Sequence, residues 1–535
     1  MEQNTKTPSL KTQSAWLMFA KIVGFGFAFL LPLLVVRFLA QDKVGLYRQS
    51  FQVVMNATAI LSLGFSMSAY YFLSRETEKR ASAIFNILLF HFVTGGLACL
   101  GLFLYPQILG KIFQSEEMTA LAPEIGVVIW IWIFSTILET VAVANREPRL
   151  ATVFIIFSQF TKTAFMAFAV IWFRTVEAFL VAAMIQGAVQ TLILLVYLNS
   201  RFPRFWQKFD AGFFREHLVY AVPFGLAGIL YILQTDIHNY FVGYRFSEAE
   251  YAIYAYGCFQ LPLITILAES IASVMIPRMS ELQMRGERAE MIRLTARAMQ
   301  KLSFFYFPIY VFLFITAQTF IITLFTRNYL ASVPIFLINL TLLPFHILVT
   351  DPIVRSYREL GRFLLILRIF IFSGLVAALY FGIQHFNLSG MIAIVVVALI
   401  CEKIIAEGVI IRKLGVGRKD LYLLKDVGKI AAISIFAGII TFAVYQGIKD
   451  FMPAVGENLA RMLFAAPKRS VVDFIWGSLT LGISFAVFAP IYLLAAYFWN
   501  VIDDEEKQTV RNVFSRLRTF LKREPIPNPQ SQIPN

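Results

Sequence analysis

Ile392-Ala393-Ile394-Val395-Val396-Val397-Ala398-Leu399-Ile400 decides the fold class. A strand that crosses a membrane alternates lipid-facing and lumen-facing residues, whereas this run is apolar at every position. A continuous apolar segment in lipid must satisfy all its backbone groups internally, which a helix does and an open strand cannot. The rest of the chain repeats the pattern. Of its 535 residues, 58% are hydrophobic and 15% charged, against roughly 25% charged in a soluble domain. The charges collect in short clusters. Between them lie apolar stretches of roughly 20 residues, enough to cross about 30 Å of hydrocarbon at about 1.5 Å per residue. The expectation is an all-α polytopic membrane protein with about fourteen spans. They fall at 14–40, 48–74, 81–105, 123–144, 150–173, 177–199, 217–243, 249–277, 302–325, 333–351, 363–384, 390–411, 430–447 and 473–498.

The net charge of +14 would suggest nucleic acid in a soluble protein, but here it follows from basic residues gathered on one face of a membrane. Connections on one side receive 32 Lys and Arg, and those on the other receive 9. The richer side holds both termini and is assigned to the cytoplasm, which requires an even number of spans. Cys99, Cys258 and Cys401 all fall within apolar stretches, so no disulfide framework is expected. A cleavable signal peptide is not expected either, because the first apolar stretch is too long for one. In the tail, Val510, Val513, Phe514, Leu517, Phe520 and Leu521 recur at helical spacing, with Arg511, Arg516, Arg518, Lys522 and Arg523 on the other face. That pattern fits a helix lying on anionic membrane lipids, or equally a solvated cytoplasmic helix. Residues 524–535, with four prolines, read as disordered.

The chain also repeats itself. Glu139 precedes Asn145-Arg146-Glu147, and Asp351 precedes Tyr357-Arg358-Glu359, an offset of 212 residues that also relates Phe113 to Phe325 and Arg201 to Lys413. Nearer the start, Val44-Gly45-Leu46-Tyr47 matches Tyr251-Ala252-Ile253-Tyr254 at an offset of 207. A six-span unit keeps both copies in the same orientation, which predicts two parallel-repeat six-helix lobes related by an axis along the membrane normal, plus two C-terminal helices. The expected divisions are a cytoplasmic segment 1–13, a first lobe 14–199, a linker 200–216, a second lobe 217–411, a connection with two extra spans 412–498, and a basic cytoplasmic tail 499–535.

Several pieces resemble the bacterial polysaccharide flippases (O-antigen, Wzx-type) of the multidrug/oligosaccharidyl-lipid/polysaccharide (MOP) exporter superfamily. They are Leu39-Ala40 to Val44-Gly45-Leu46-Tyr47, Gln234-Thr235-Asp236 with Tyr251-Ala252-Ile253-Tyr254, Ile276-Pro277-Arg278-Met279-Ser280, and Pro308 followed by Ile321-Ile322-Thr323-Leu324-Phe325 and Tyr329. Family members usually carry Gly where Ala252 stands, and the connection 448–472 is long. The resemblance implies twelve core helices in two lobes, often with two more. It implies a flippase of the bacterial inner membrane that moves lipid-linked oligosaccharide, of the undecaprenyl-pyrophosphate type, outward for lipopolysaccharide or other surface polysaccharide. A polymerase and glycosyltransferases are the expected protein contacts. Two rivals remain open at this point: a cation-coupled drug antiporter of the same superfamily, and a membrane-embedded polymerase or ligase.

No Gly-x-x-x-x-Gly-Lys loop, His-Glu-x-x-His or Cys-x-x-Cys occurs, and the five histidines are scattered. No enzyme, bound metal or organic cofactor is expected, with Na+ or H+ as the candidate coupling ion. Ionisable residues within spans cost roughly 2.5–3.5 kcal/mol on insertion scales and are functional candidates for that reason. Lys21, beside Gly24 and Gly26 in the first span, either meets a lipid pyrophosphate as a mobile point charge or snorkels to the headgroups. Arg37 and Arg48, at the external end of the first hairpin, have the same two options. Asp236 stands in Gln234-Thr235-Asp236-Ile237-His238-Asn239, a polar face that reads as cavity wall, coupling carboxylate or interhelical hydrogen bond. Glu269 is the second acid of this kind. The cavity is expected between spans one, two, seven and eight. Glu139 and Asp351 read as structural residues of the repeated turns, Lys162 and Arg368 as a pseudo-equivalent pair, and Glu402, Lys403 and Glu407 as mutually neutralising.

Overall fold

A computed structural model describes residues 10–75, 79–145 and 147–501 of the chain. Its first half contains α1 (Leu10–Phe38), α2 (Gln41–Leu61), α3 (Phe65–Arg75), α4 (Arg80–Leu104), α5 (Gln107–Phe113), α6 (Glu116–Ser135), α7 (Ile137–Ala144), α8 (Pro148–Trp172) and α9 (Val176–Arg201). The second half contains α10 (Ala211–Arg245), α11 (Glu248–Gly257), α12 (Pro262–Met284), α13 (Arg288–Phe325), α14 (Ser332–Leu340), α15 (Thr350–Ser356), α16 (Arg358–Gly382) and α17 (Leu388–Leu414). It is followed by α18 (Lys425–Ile448), α19 (Met452–Leu463) and α20 (Arg469–Phe498). Short 3₁₀ turns complete the described structure, which has no strand among the described residues. The chain is an all-α, multi-pass membrane protein.

Among the described residues, eleven helices are long and apolar enough to cross a membrane, or twelve if the pair bent by 46° at Ile347–Thr350 forms one span. The fourteen expected stretches all fall on helices, yet the count of fourteen crossings is not reached. The second stretch is split, because Leu63 and Gly64 adopt φ values of 43° and 76° and end α2. The left-handed region costs glycine nothing, and Gly64 nests where a Cβ would lie 2.6 Å from the Ala221 carbonyl oxygen of α10. What precedes the break carries Gln41, Asp42, Lys43, Arg48, Gln49, Gln52 and Asn56, too polar for a lipid-facing segment. The eighth stretch is also split, between α11 and α12, where Pro262 opens the second piece.

Helix starts lie earlier than the apolar runs suggest. Ser115 Oγ accepts from the Met118 amide, with Glu116 and Glu117 in the first turn, so α6 begins seven residues ahead of the expected 123. The amphipathic start of α13 likewise extends it back to Arg288 from the expected 302. The 448–472 connection is not a plain loop. It folds into α19, whose Gly456 packs so closely on Trp476 that a Cβ would sit 2.3 Å from the Trp476 Cβ.

Packing pairs recur along the chain. α1 packs on α8 and α10 on α16; α8 on α9 and α16 on α17; α6 on α9 and α14 on α17; α2 on α6 and α11 on α14. Each pairing in the first half has a counterpart six stretches later. α2 and α3 meet α10, α2 meets α11, and α1 meets α13 across the two halves. The largest apolar core runs through this seam, from Val35, Val44 and Val54 to Met279, Tyr306 and Phe325. α18 and α20 pack on each other and on α13. The expected tail helix and the proline-rich end lie outside the described residues, as do residues 1–9 and Arg146 of the repeated turn.

Candidate functional site

Three polar residues one turn apart on α2 face the second half. Arg48 lies over the Tyr256 ring, 5.5 Å from its centroid. Gln52 Nε2 donates to Asp236 Oδ2 at 3.0 Å, and Asn56 Nδ2 donates to the Tyr240 hydroxyl at 3.2 Å. The i, i+4, i+8 spacing puts the three on one face of α2, and Asp236 and Tyr240 stand i, i+4 on α10 opposite. Arg48 also acts electrostatically on Asp236. A half-buried carboxylate therefore sits between the two halves, with one neutral donor bonded to it and a cation nearby.

The polar run around Asp236 does not form one face. Successive helical residues point about 100° apart, and the partners diverge accordingly. Gln234 bonds Glu402 of α17, which is itself ion-paired to Arg368 of α16 at 3.1 Å. Asp236 turns to α2, and His238 Nδ1 meets the Tyr254 hydroxyl of α11 at 2.8 Å. One short segment of α10 thus joins three neighbouring elements.

Lys21 and Glu269 come together, although they lie on α1 and α12 in different halves. Lys21 Nζ stands 3.8 Å from Glu269 Oε2, with side chains 53% and 63% exposed. Glu139, on α7, feels the same lysine electrostatically. Gly24 lies against α8, where a Cβ would sit 3.0 Å from Gln159 Cγ, so it allows α1 and α8 to approach closely. Lys21 therefore stands exposed where the two halves meet. It carries one loosely held carboxylate and has reach to spare.

Arg37 is committed differently. Its guanidinium donates to the carbonyls of Leu33 at 2.7 Å, Leu324 at 2.9 Å and Thr323 at 2.7 Å, and lies over the Phe474 ring at 5.3 Å. The last carbonyls of α13 have no intrahelical partner, and a cation there also meets the negative end of the helix dipole. Gln41 Nε2 adds a bond to the Asn328 carbonyl at 3.3 Å. Beside these contacts Gly45 touches the start of α11 so tightly that a Cβ would lie 1.8 Å from the Glu248 carbonyl oxygen. The two halves are thus joined firmly at the Arg37 end of α1, about 24 Å along the helix from Lys21.

The remaining intramembrane charges are sorted by their neighbours. Glu402 ion-pairs across to Arg368 at 3.1 Å and Glu407 accepts from Thr350 Oγ1 at 2.7 Å, while Lys403 acts electrostatically on both acids, so partners across helices add to the expected neutralisation. Asp351 pairs with Arg355 at 2.9 Å within its own short helix. Lys162 lies 4.3 Å from the Trp132 ring centroid, whereas Arg368 has an acid as well as the Tyr231 ring at 5.5 Å. Gln52, Asn56, Tyr240 and Tyr256 complete the site around Asp236, and residue-by-residue screening for charge passes over them. The signal for the α2 pair is their four-residue spacing with Arg48.

Residues 57–334, slightly more than half of the chain, match the model of a family described as "Polysaccharide biosynthesis protein". No match was found among curated protein sequences. Among solved structures, the chain is similar to the lipid II flippase MurJ in an inward closed conformation, at 14% identity over 91% of this chain and 99% of that one, with a TM-score of 0.66. It is also similar to a MOP superfamily transporter from Pyrococcus furiosus, at 17% identity over 77% of this chain and 99% of that one, with a TM-score of 0.56. An inward-facing multidrug resistance MATE family transporter matches at 16% identity over 73% of this chain and 94% of that one, with a TM-score of 0.58. At these identities the likeness establishes the fold, and the folds it resembles are those of transporters rather than enzymes. With a family match across more than half its length, the chain belongs to the polysaccharide biosynthesis protein family, and its fold is similar to those of the MurJ flippase and of MOP superfamily transporters.

Proposed function

We propose that the protein flips a lipid-linked oligosaccharide, carried on undecaprenyl pyrophosphate, from the cytoplasmic to the external leaflet of the bacterial inner membrane. In this reading the substrate serves O-antigen or another surface polysaccharide, both termini are cytoplasmic, and two six-helix lobes rock about their seam in alternating access. The observation that carries the reading is the Lys21–Glu269 pair. It is exposed, spans the two halves and lies about 17 Å along α1 from the helix start, on the basic side of the protein. An exposed ion pair contributes about 0–1 kcal/mol, so a pyrophosphate bearing two or more charges displaces the single carboxylate from Lys21 at little cost. The firm seam at the Arg37 end keeps the opposite exit shut meanwhile. Arg48 is the next cation along the path, and Asp236 is the candidate carboxylate for a coupling H+ or Na+.

The drug-antiporter reading needs an unmatched acidic cavity. This seam carries cations beside its acids: Glu269 is paired with Lys21, and Arg48 acts electrostatically on Asp236, which also accepts from the neutral Gln52 amide. The test is a deletion strain complemented with Lys21→Ala or Lys21→Arg. The expected result is accumulation of lipid-linked repeat units on the inner leaflet with Lys21→Ala and partial rescue with Lys21→Arg. Full surface polysaccharide in the deletion strain itself, together with sensitivity to cationic drugs, would establish the antiporter instead.

A further inference from the structure

A basic cavity of about 470 Å3 opens on the face opposite Arg37, between the start of α13, the 3₁₀ turn Arg418–Leu424 and the start of α18. Two i, i+4 pairs of cations converge on it: Arg293 and Arg297 from α13, and Lys425 and Lys429 from α18. Their local compensation is incomplete. Lys429 holds Asp426 at 2.7 Å and Arg293 stands 3.5 Å from Glu290. Lys425 rests against the Tyr422 ring at 5.5 Å, and Arg297 has no acidic partner among the described residues. Gln300, whose amide donates to the Val501 carbonyl at 3.2 Å, and Tyr422 add neutral hydrogen-bonding groups to the wall.

The depth of the cavity in the membrane follows from helix length. Arg293 and Gln300 lie about 48 and 38 Å along α13 from its Phe325 end, beyond the ~30 Å hydrocarbon thickness. They therefore sit at the headgroup level of the leaflet that the charge count assigns to the cytoplasm. Tyr422 and Trp499 are exposed beside it, the residue types that sit at a membrane interface. Basic pockets between helix ends at this level bind phosphate-bearing lipid headgroups. Nothing in the seam around Lys21 shares residues with this cavity.

We infer that this cavity is a binding site for the headgroup of an anionic phospholipid of the cytoplasmic leaflet, one or two phosphates being held by Arg293, Arg297, Lys425 and Lys429. Free phosphate offers the same oxygens without acyl chains for the apolar rim. The chain offers competing anions of its own in Asp503-Asp504-Glu505-Glu506, which follow Val501 closely in sequence. The test is native mass spectrometry of the full chain in detergent. Diphosphatidylglycerol, phosphatidylglycerol or phosphatidylcholine is titrated in, and bound lipids per protein are counted. The expected result is preferential retention of the anionic lipids, strongest for the diphosphate headgroup. Arg297→Ala and Lys425→Ala should each weaken it about fivefold, as expected for one cation near an anionic headgroup. Arg149→Ala, the same change of charge at an exposed cation of α8 in the first half, should leave it unchanged. Equal losses in that control would reduce the preference to general charge and overturn the site. So would displacement of the lipid by millimolar inorganic phosphate as effectively as by diphosphatidylglycerol. An anionic preference seen only when residues 503–506 are neutralised (D503N, D504N, E505Q, E506Q) would assign the cavity to the chain's own acids and overturn it as well.

Discussion

Gly45→Ala should push the two halves apart at the Arg37 end of the seam. In the closed arrangement the new Cβ would lie 1.8 Å from the Glu248 carbonyl oxygen and 2.4 Å from its carbon. Ordinary carbon–oxygen contacts need about 3.4 Å, so α2 and α11 must separate by roughly 1.5 Å. The carbonyl cannot swing away cheaply. It belongs to the first turn of α11, which is fixed by the capping box of Ser247 and Glu250. Overpacking of this size costs about 1–3 kcal/mol, which disfavours the closed form by about five- to 150-fold and shifts the population toward the form open at that end. The assay is a spin-label distance measurement between cysteines introduced at exposed Gln107 and Ala331, in opposite halves, with Cys99, Cys258 and Cys401 changed to Ser. A second, longer distance should appear with Gly45→Ala. It should be absent with Gly26→Ala, where a Cβ meets nothing within 4 Å. An unchanged distribution in a monodisperse Gly45→Ala protein would refute the reasoning that this contact keeps the end closed.

Other consequences are open to direct measurement. Asp236→Asn keeps the shape and the bond from Gln52 but removes the charge, so transport should lose its dependence on pH or sodium while folding is retained; unchanged dependence would remove Asp236 from coupling. Glu269→Gln frees Lys21 from its competing carboxylate and should lower the apparent KM for an anionic lipid substrate, whereas Lys21→Ala should raise it and cut the rate by an order of magnitude or more. Arg327→Ala leaves the Asp473 carboxylate, 4% exposed, with the Trp476 indole as its remaining hydrogen-bond donor among the described residues. That should cost about 2 kcal/mol and lower the thermal midpoint in detergent, with recovery in Asp473→Asn combined with Arg327→Ala.

Much of the fold is legible in the sequence because lipid leaves the chain few options. Most of the expected spans fall on single helices and the others on broken ones, since an apolar run in a bilayer must satisfy its backbone groups internally. The boundaries were less legible. Hydropathy detects the part of a helix in hydrocarbon and misses the polar turns beyond it, such as Arg288–Lys301 of α13 or the Ser115-capped start of α6. The break at Leu63–Gly64 is a backbone event, marked in sequence by one glycine whose need for positive φ appears only when α10 closes against it. α19 had a readable signature in Met452, Gly456 and Ala460 at four-residue spacing, which the length of the connection obscured. At the site, cost alone singled out Lys21, Asp236 and Glu269. Their partners depend on contacts between distant segments: Lys21 finds Glu269 and Asp236 finds Gln52 only once the halves pack. Arg37 illustrates the limit, because a cation near a helix end looks the same in sequence whether it serves a ligand or caps the carbonyls of another helix.

Reconstituted transport tests the central claim most directly. The purified protein is placed in vesicles holding a fluorescently labelled undecaprenyl-pyrophosphate oligosaccharide, and the share of label protected from a membrane-impermeant quencher is followed with time. The account predicts that wild-type protein exchanges the labelled lipid between leaflets, that Lys21→Ala slows the exchange at least tenfold, and that Lys21→Arg restores part of it. Vesicles that leave the labelled lipid in place while exporting a cationic dye would contradict it.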